Sequence, residues 1–178
     1  MPFVRVICVA GLSVLAMPFA FSQTSMQLSS SSIVEGKILK PHACAGHGGS
    51  DVSVQLSVKS LPDDAKYVSI VMDDPDAIPV AGKNWVHWNL FNTPVSGSLD
   101  VAAGVAPVGD AGRASGGSKA YEGMCPPNGT HSYRFAVFAT KDKVDVGGFF
   151  GPTAMTIEYF ESKFGSSILG KAQISGKF

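Results

Sequence analysis

Between Asp51 and Lys59 the chain alternates strictly. Val52, Val54, Leu56 and Val58 fall on one face, and Ser53, Gln55, Ser57 and Lys59 on the other. A period of two predicts a half-buried strand. Val68–Met72 is apolar and β-branched, and predicts a buried strand. Val86–Phe91 predicts another. In Tyr133–Thr140, Phe135, Val137 and Ala139 oppose Arg134, Ala136 and Phe138. With both faces largely apolar, that strand belongs in the middle of a sheet. A first edge strand is expected near Ser30–Val34, a short one at Ser98–Val101 and a closing one at Lys171–Phe178. Only Thr153–Leu169 carries a clear helical period, with Ile157, Phe160, Phe164 and Ile168 on one side. Thr153 can cap this helix after Pro152. Gly165 costs about 1 kcal/mol inside it or else ends it early. The pattern is that of a mainly β protein, β-rich α+β, with one or two helices.

Residues 30–178 form one domain on this reading, after a Ser-rich lead over 23–29 that is expected to be disordered. Residues 1–22 have the marks of a secretory signal peptide: Arg5, the apolar stretch Val6–Phe21, and small residues at Ala20 and Ser22. Cleavage is expected after Ser22, leaving no transmembrane segment. The apolar run is short for a membrane anchor, and Pro18 interrupts it. The expected location is the periplasm or the exterior. Thr93–Gly112 is loop-rich, and Gly112–Ser118 (GRASGGS) predicts a flexible loop or lid.

The 178 residues include 14 basic and 14 acidic side chains, with no Lys/Arg run. Nucleic-acid binding needs clustered cations, so that partner class is excluded, and nothing marks a polybasic membrane contact. Beyond the leader, Cys44 and Cys125 remain. An even number of cysteines in an exported chain allows one disulfide; two buried thiols are the alternative. The oxidising destination favours the bridge.

Candidate chemistry clusters in two places. The strand at Val68–Met72 runs into Asp73-Asp74-Pro75-Asp76, and the next strand returns as Trp85-Val86-His87-Trp88. Further on, Cys125-Pro126-Pro127-Asn128-Gly129 makes a turn that leads through His131-Ser132-Tyr133 into a strand. Taken alone, the acids describe a solvated turn and the flanked histidine a packed core residue. His42, Cys44 and His47 lie close together but match no closed zinc spacing and lack a fourth ligand, so no metal is expected. No cofactor is expected either.

Together the two motifs resemble the phosphatidylethanolamine-binding protein family, also called the Raf kinase inhibitor protein family, in its bacterial branch. The resemblance rests on Asp74-Pro75-Asp76-Ala77 with Trp85-x-His87-Trp88, and on Cys125-Pro126-Pro127-x-Gly129-Thr130-His131-x-Tyr133. It implies two antiparallel sheets with flanking helices and a small anion pocket at one end. It implies a binding set of Asp74, Asp76, Trp85, His87, Pro126, Pro127, His131 and Tyr133, with Cys44 and Cys125 beside the pocket. Two imidazoles and a phenol suit a phosphate, phosphoethanolamine or carboxylate. An Asp that accepts an imidazole's second N–H fixes its tautomer and raises its pKa. The chain departs from the family at Ile78, Ser132, Glu122 and Met124, and in Gly48–Asp51. These departures bear on ligand size and pocket charge.

The function expected is a non-enzymatic binding protein for a small anion, such as a phospholipid headgroup, or a kinase- or protease-inhibitor-like regulator of an unidentified protein partner. One alternative is a hydrolase using the Asp and His groups, for which no Gly-x-Ser-x-Gly nucleophile motif exists. Another is an interaction module with a vestigial pocket, working through a surface such as Gly112–Ser118.

Overall fold

The computed structural model describes residues 25–147 and 153–178. The expected signal peptide lies outside the described residues. The strands are β1 (Gln27–Ser29), β2 (Ile33–Val34), β3 (Lys37–Ile38), β4 (Leu56–Lys59), β5 (Tyr67–Asp74), β6 (Trp85–Pro94), β7 (Leu99–Val101), β8 (Asp110–Ala111), β9 (Ser132–Thr140) and β10 (Ile168–Lys177). Two α-helices accompany them, α1 (Ile78–Ala81) and α2 (Ile157–Phe164).

One sheet has three strands in the order β1-β4-β7, the other seven in the order β2-β3-β10-β9-β5-β6-β8. All neighbours run antiparallel except β3 and β10, which meet in parallel at Lys37 and Lys177. The two-sheet expectation holds, with that one parallel pairing added.

The alternation along β5 and β9 sorts residues between two cores. Val54, Leu56 and Val58 from the small sheet's side pack with Ile70, Met72, Phe135 and Val137 of the large sheet. On the large sheet's other face, Val71, Ala136 and Phe138 pack with Val144, Val146, Met155 and the α2 residues Ile157, Phe160 and Phe164. The result is three layers: small sheet, large sheet, helix. β9 sits between β10 and β5, and its two faces enter the two cores, Phe135 and Val137 one and Ala136 and Phe138 the other.

Several boundaries differ from expectation. α2 begins at Ile157, where the Thr156 side chain accepts a hydrogen bond from Tyr159 N. The cap is therefore Thr156, not Thr153. Gly165–Ser167 tightens into a 3-10 turn and Ile168 opens β10, so the fourth residue of the apolar stripe serves the sheet. β1 pairs with β4 from Gln27 to Ser29, so part of the expected disordered lead is strand. Ladder pairing in the alternating segment starts only at Leu56. Gly112–Ser118 is a hydrogen-bonded loop: Ser115 N donates to Val86 O at 2.8 Å, and Ser115 Oγ accepts from Val86 N at 2.9 Å. Ala114 is buried beneath it.

Candidate functional site

At one end of the large sheet, β5, β6 and the residues entering β9 converge on a cavity of about 470 Å³. Asp74, Trp85, His87, Pro126, Pro127, His131 and Tyr133 all line it.

The strands reach this arrangement through an irregularity in register. β5 pairs Met72 with Trp88 but Asp73 with Val86, which leaves His87 as an extra residue on β6. A β-bulge of this kind re-aims the side chain it carries. Regular alternation would set His87 on the face opposite its neighbour Trp88. The bulge lets Trp88 enter the core between the sheets while His87 lines the cavity.

Alternation also separates the two adjacent acids. Asp74 faces the cavity. Asp73 is fully buried on the helix side, where it accepts Arg134 Nε at 2.8 Å, Arg134 Nη2 at 2.9 Å, Asn84 Nδ2 at 3.0 Å and Ile157 N at 3.0 Å. Asp73 thus anchors α2 to the sheet and does not line the pocket. Arg134 also holds the Glu158 carboxyl below the usual carboxylate range.

In the cavity, His131 Nδ1 donates to Asp74 Oδ2 at 2.7 Å, with both side chains buried. His87 Nδ1 donates to the Glu122 carbonyl at 2.8 Å. Each imidazole therefore has its Nδ1 committed and its Nε2 free to meet a ligand. Only His131 has the carboxylate partner that the sequence led us to expect. Burial pushes the His87 pKa down, against the upward pull of the Glu122 carbonyl and the nearby Asp74 charge. This buried setting favours the neutral form of the His87 ring.

Tyr133 joins the two imidazoles. Its ring meets His87 edge-on with centroids 5.2 Å apart and lies stacked against His131 at 6.3 Å. Its hydroxyl is buried without a hydrogen-bond partner, and so is Asp74 Oδ1. Burial pushes the Tyr133 pKa up, so the phenol keeps its proton and can donate it.

Asp76 does not join the lining. It is exposed, and its carboxylate accepts Ser132 N at 2.8 Å, fastening the 3-10 turn Pro75–Ala77 to the start of β9. The residues missed from sequence are Asp51 and Glu122, with Ala77, Val80 and Ala81 from the α1 region. Asp51 adopts φ 52, and its Oδ1 accepts Gly123 N at 2.8 Å. Glu122 Oε2 accepts Gly116 N at 3.2 Å and the Trp85 indole N–H at 3.4 Å.

Cys44 and Cys125 form a disulfide on the rim. It ties the Ala43–Asp51 loop to the Gly123–Pro127 turn, and Cys44 N donates to Met124 O at 3.0 Å. The approach is so close that a Cβ on Gly123 would lie 2.6 Å from Ala43 C and from Cys44 N. His47 comes within 4.8 Å of the two sulfurs, but both are consumed by the bridge, so this trio holds no metal. No helix among the described residues is long and apolar enough to cross a membrane.

The family model described as phosphatidylethanolamine-binding protein matches residues 29–178. A UPF0098 protein of Methanothermobacter thermautotrophicus is 33% identical over 148 residues, which is 80% of this chain and 91% of that protein. The solved structure of Escherichia coli YbcL, described as a new member of the mammalian PEBP family, superposes with a TM-score of 0.70 at 25% identity. That match covers 87% of this chain and 98% of YbcL. A Mycobacterium tuberculosis protein named as the lipoprotein LppC is 38% identical over 103 residues, 51% of this chain and 49% of its own length.

Proposed function

Because this chain belongs to the phosphatidylethanolamine-binding protein family, we propose that it is an exported binding protein that holds a small phosphoryl or carboxylate group in the Asp74–His87–His131–Tyr133 cavity. The observation that carries this reading is the Tyr133 hydroxyl. It is a buried donor with no partner, flanked by two imidazoles whose Nε2 atoms are uncommitted. An unpaired buried polar group costs about 1–3 kcal/mol, and a ligand oxygen would remove that cost. A phospholipid headgroup such as phosphoethanolamine, free phosphate or a carboxylate end fits this chemistry. Val80, half exposed on α1 at the cavity wall, leaves room for the apolar remainder of such a ligand.

The proposed role is binding without turnover. The Cys44 and Cys125 thiols, the strong nucleophiles that the sequence places beside the pocket, are both spent in the disulfide. A regulatory role toward a protein partner would use the same mouth. Export is supported by the bridge itself, which persists in oxidising compartments, and by the relative named as a lipoprotein.

The test is NMR titration of the His87 and His131 ring signals with phosphate and with phosphoethanolamine. Both sets of signals are expected to shift in a saturable way. Rings that ignore both compounds would overturn the reading.

A further inference from the structure

The cavity is richer in acceptors than an anion site has reason to be. Asp51, Asp74 and Glu122 all line it, and no Lys or Arg does among the described residues. Lys83, whose ammonium lies 5.0 Å from the Trp85 ring centroid, does not join the lining. Arg134 is engaged with Asp73 and Glu158 on the other face of the sheet. Pro126 and Pro127 contribute wall but no N–H.

One atom makes the problem specific. Asp74 Oδ2 is satisfied by His131, but Oδ1 is buried and has no partner. An ionised carboxylate oxygen can only accept. A fully deprotonated oxyanion would meet it as lone pair against lone pair, a like-charge contact in a poorly solvated site. His87 adds to this. Its Nδ1 proton is given to the Glu122 carbonyl, so the neutral ring presents a lone pair at Nε2.

The geometry points to a ligand that brings its own proton: the cavity takes a phosphomonoester as the monoanion and rejects oxyanions that have no O–H to donate. The ligand P–OH donates to Asp74 Oδ1, the Tyr133 hydroxyl donates to a second phosphoryl oxygen, and His87 stays neutral. The lowered His87 pKa agrees with this assignment. The inference rests on the pocket reading above and narrows it, keeping the phosphomonoester and dropping the carboxylate from the ligands named there.

Every titratable group facing the ligand has to be considered, because histidine protonation would also strengthen anion binding at low pH. These groups are Asp51 before β4, Asp74 on β5, His87 on β6, Glu122 before β9, and His131 and Tyr133 at the start of β9. Sulfate serves as the control. It has the phosphoryl shape but carries no proton across this range, so its pH dependence reports the protein alone.

The experiment is calorimetric titration of the full chain with methyl phosphate and with sulfate, at about pH 5 and about pH 8. Phosphomonoesters lose their second proton near about pH 6. We expect methyl phosphate to bind about tenfold more tightly than sulfate at the lower pH, and to lose that advantage at the higher pH. Asp74→Asn keeps an oxygen to accept His131 Nδ1–H and puts an amide donor where Oδ1 stood. This variant should gain sulfate binding and flatten the methyl phosphate pH dependence, with its melting temperature reporting that it remains folded. Equal affinities and equal pH slopes for the two anions in the wild type would overturn the inference and leave the pocket reading intact. Binding of neither anion at either pH, with no change in the histidine ring signals, would overturn both.

Discussion

His131 Nδ1 lies 2.7 Å from Asp74 Oδ2, although 57 positions separate the two residues in the chain. This contact joins the end of β5 to the entry of β9 and fixes which nitrogen of His131 faces the cavity. His131→Ala leaves the whole Asp74 carboxylate buried without a partner. We expect a loss of about 1–3 kcal/mol in stability by urea unfolding, together with loss of phosphate binding. His131→Asn, which can still donate to Asp74, should recover much of the stability without recovering binding.

The setting of His87 implies a pH dependence of known sign. Its folded-state pKa lies below the ordinary 6.5 because burial disfavours the charged ring. Between the two values the unfolded chain binds the proton and the folded chain does not. The stabilisation is therefore complete above about pH 6.5, declines as the pH falls toward the folded pKa, and levels off below it. Ring NMR should place the His87 midpoint below 6.5, and His87→Gln should flatten the slope of unfolding free energy against pH in that window.

The disulfide closes a loop with a sequence separation of 81 residues. Loop-closure entropy for a span of that size corresponds to a stabilisation of about 4 kcal/mol. Reduction, or Cys44→Ser with Cys125→Ser, should lower the denaturant midpoint accordingly. Binding should weaken as well, because both half-cystines line the rim.

Asp73 is fully buried and receives four hydrogen bonds from Arg134, Asn84 and the first turn of α2. Asp73→Ala leaves the partly buried Arg134 guanidinium with only the exposed Glu158 carboxylate as partner, and releases the α2 terminus. Breaking a buried pair from one side costs about 3–5 kcal/mol. We expect a large drop in melting temperature, exceeding that of Asp76→Ala, whose exposed carboxylate holds only Ser132 N.

Much of this architecture was legible in the chain because the large sheet is buried on both faces. β9 shows two apolar faces, and it lies at the sheet's centre. Two short motifs also carried most of the pocket lining. What escaped depends on pairing partners that periodicity does not encode. The bulge at His87 exists only relative to β5, so nothing in Trp85–Trp88 announces that both His87 and Trp88 turn inward. α2 was overextended because Ile168 continues a spacing of four from Phe164, whereas its backbone has already passed through a 3-10 turn into β10. Asp76 belonged to the same acidic cluster as Asp74, but the turn at Pro75 points it outward. Asp51 and Glu122 sit in loops with no period at all. The departures at Glu122 and in Gly48–Asp51 marked a change in the pocket's make-up, but the spacing does not say that the Asp51 and Glu122 side chains line the cavity.

The cavity joins two kinds of structure. Its basin, made by β5, β6 and the root of β9, is held by ladder bonds and shared core side chains. Its collar, made by the Ala43–Asp51 and Glu122–Pro127 segments, is riveted to itself at Gly123 and the disulfide, and meets the basin through Glu122 and through Ala43 and Met124, which reach into the shared core. Substitutions at the collar's cavity-facing side chains, such as Asp51 and Glu122, would reshape the mouth while the strand ladders of the basin stay as they are.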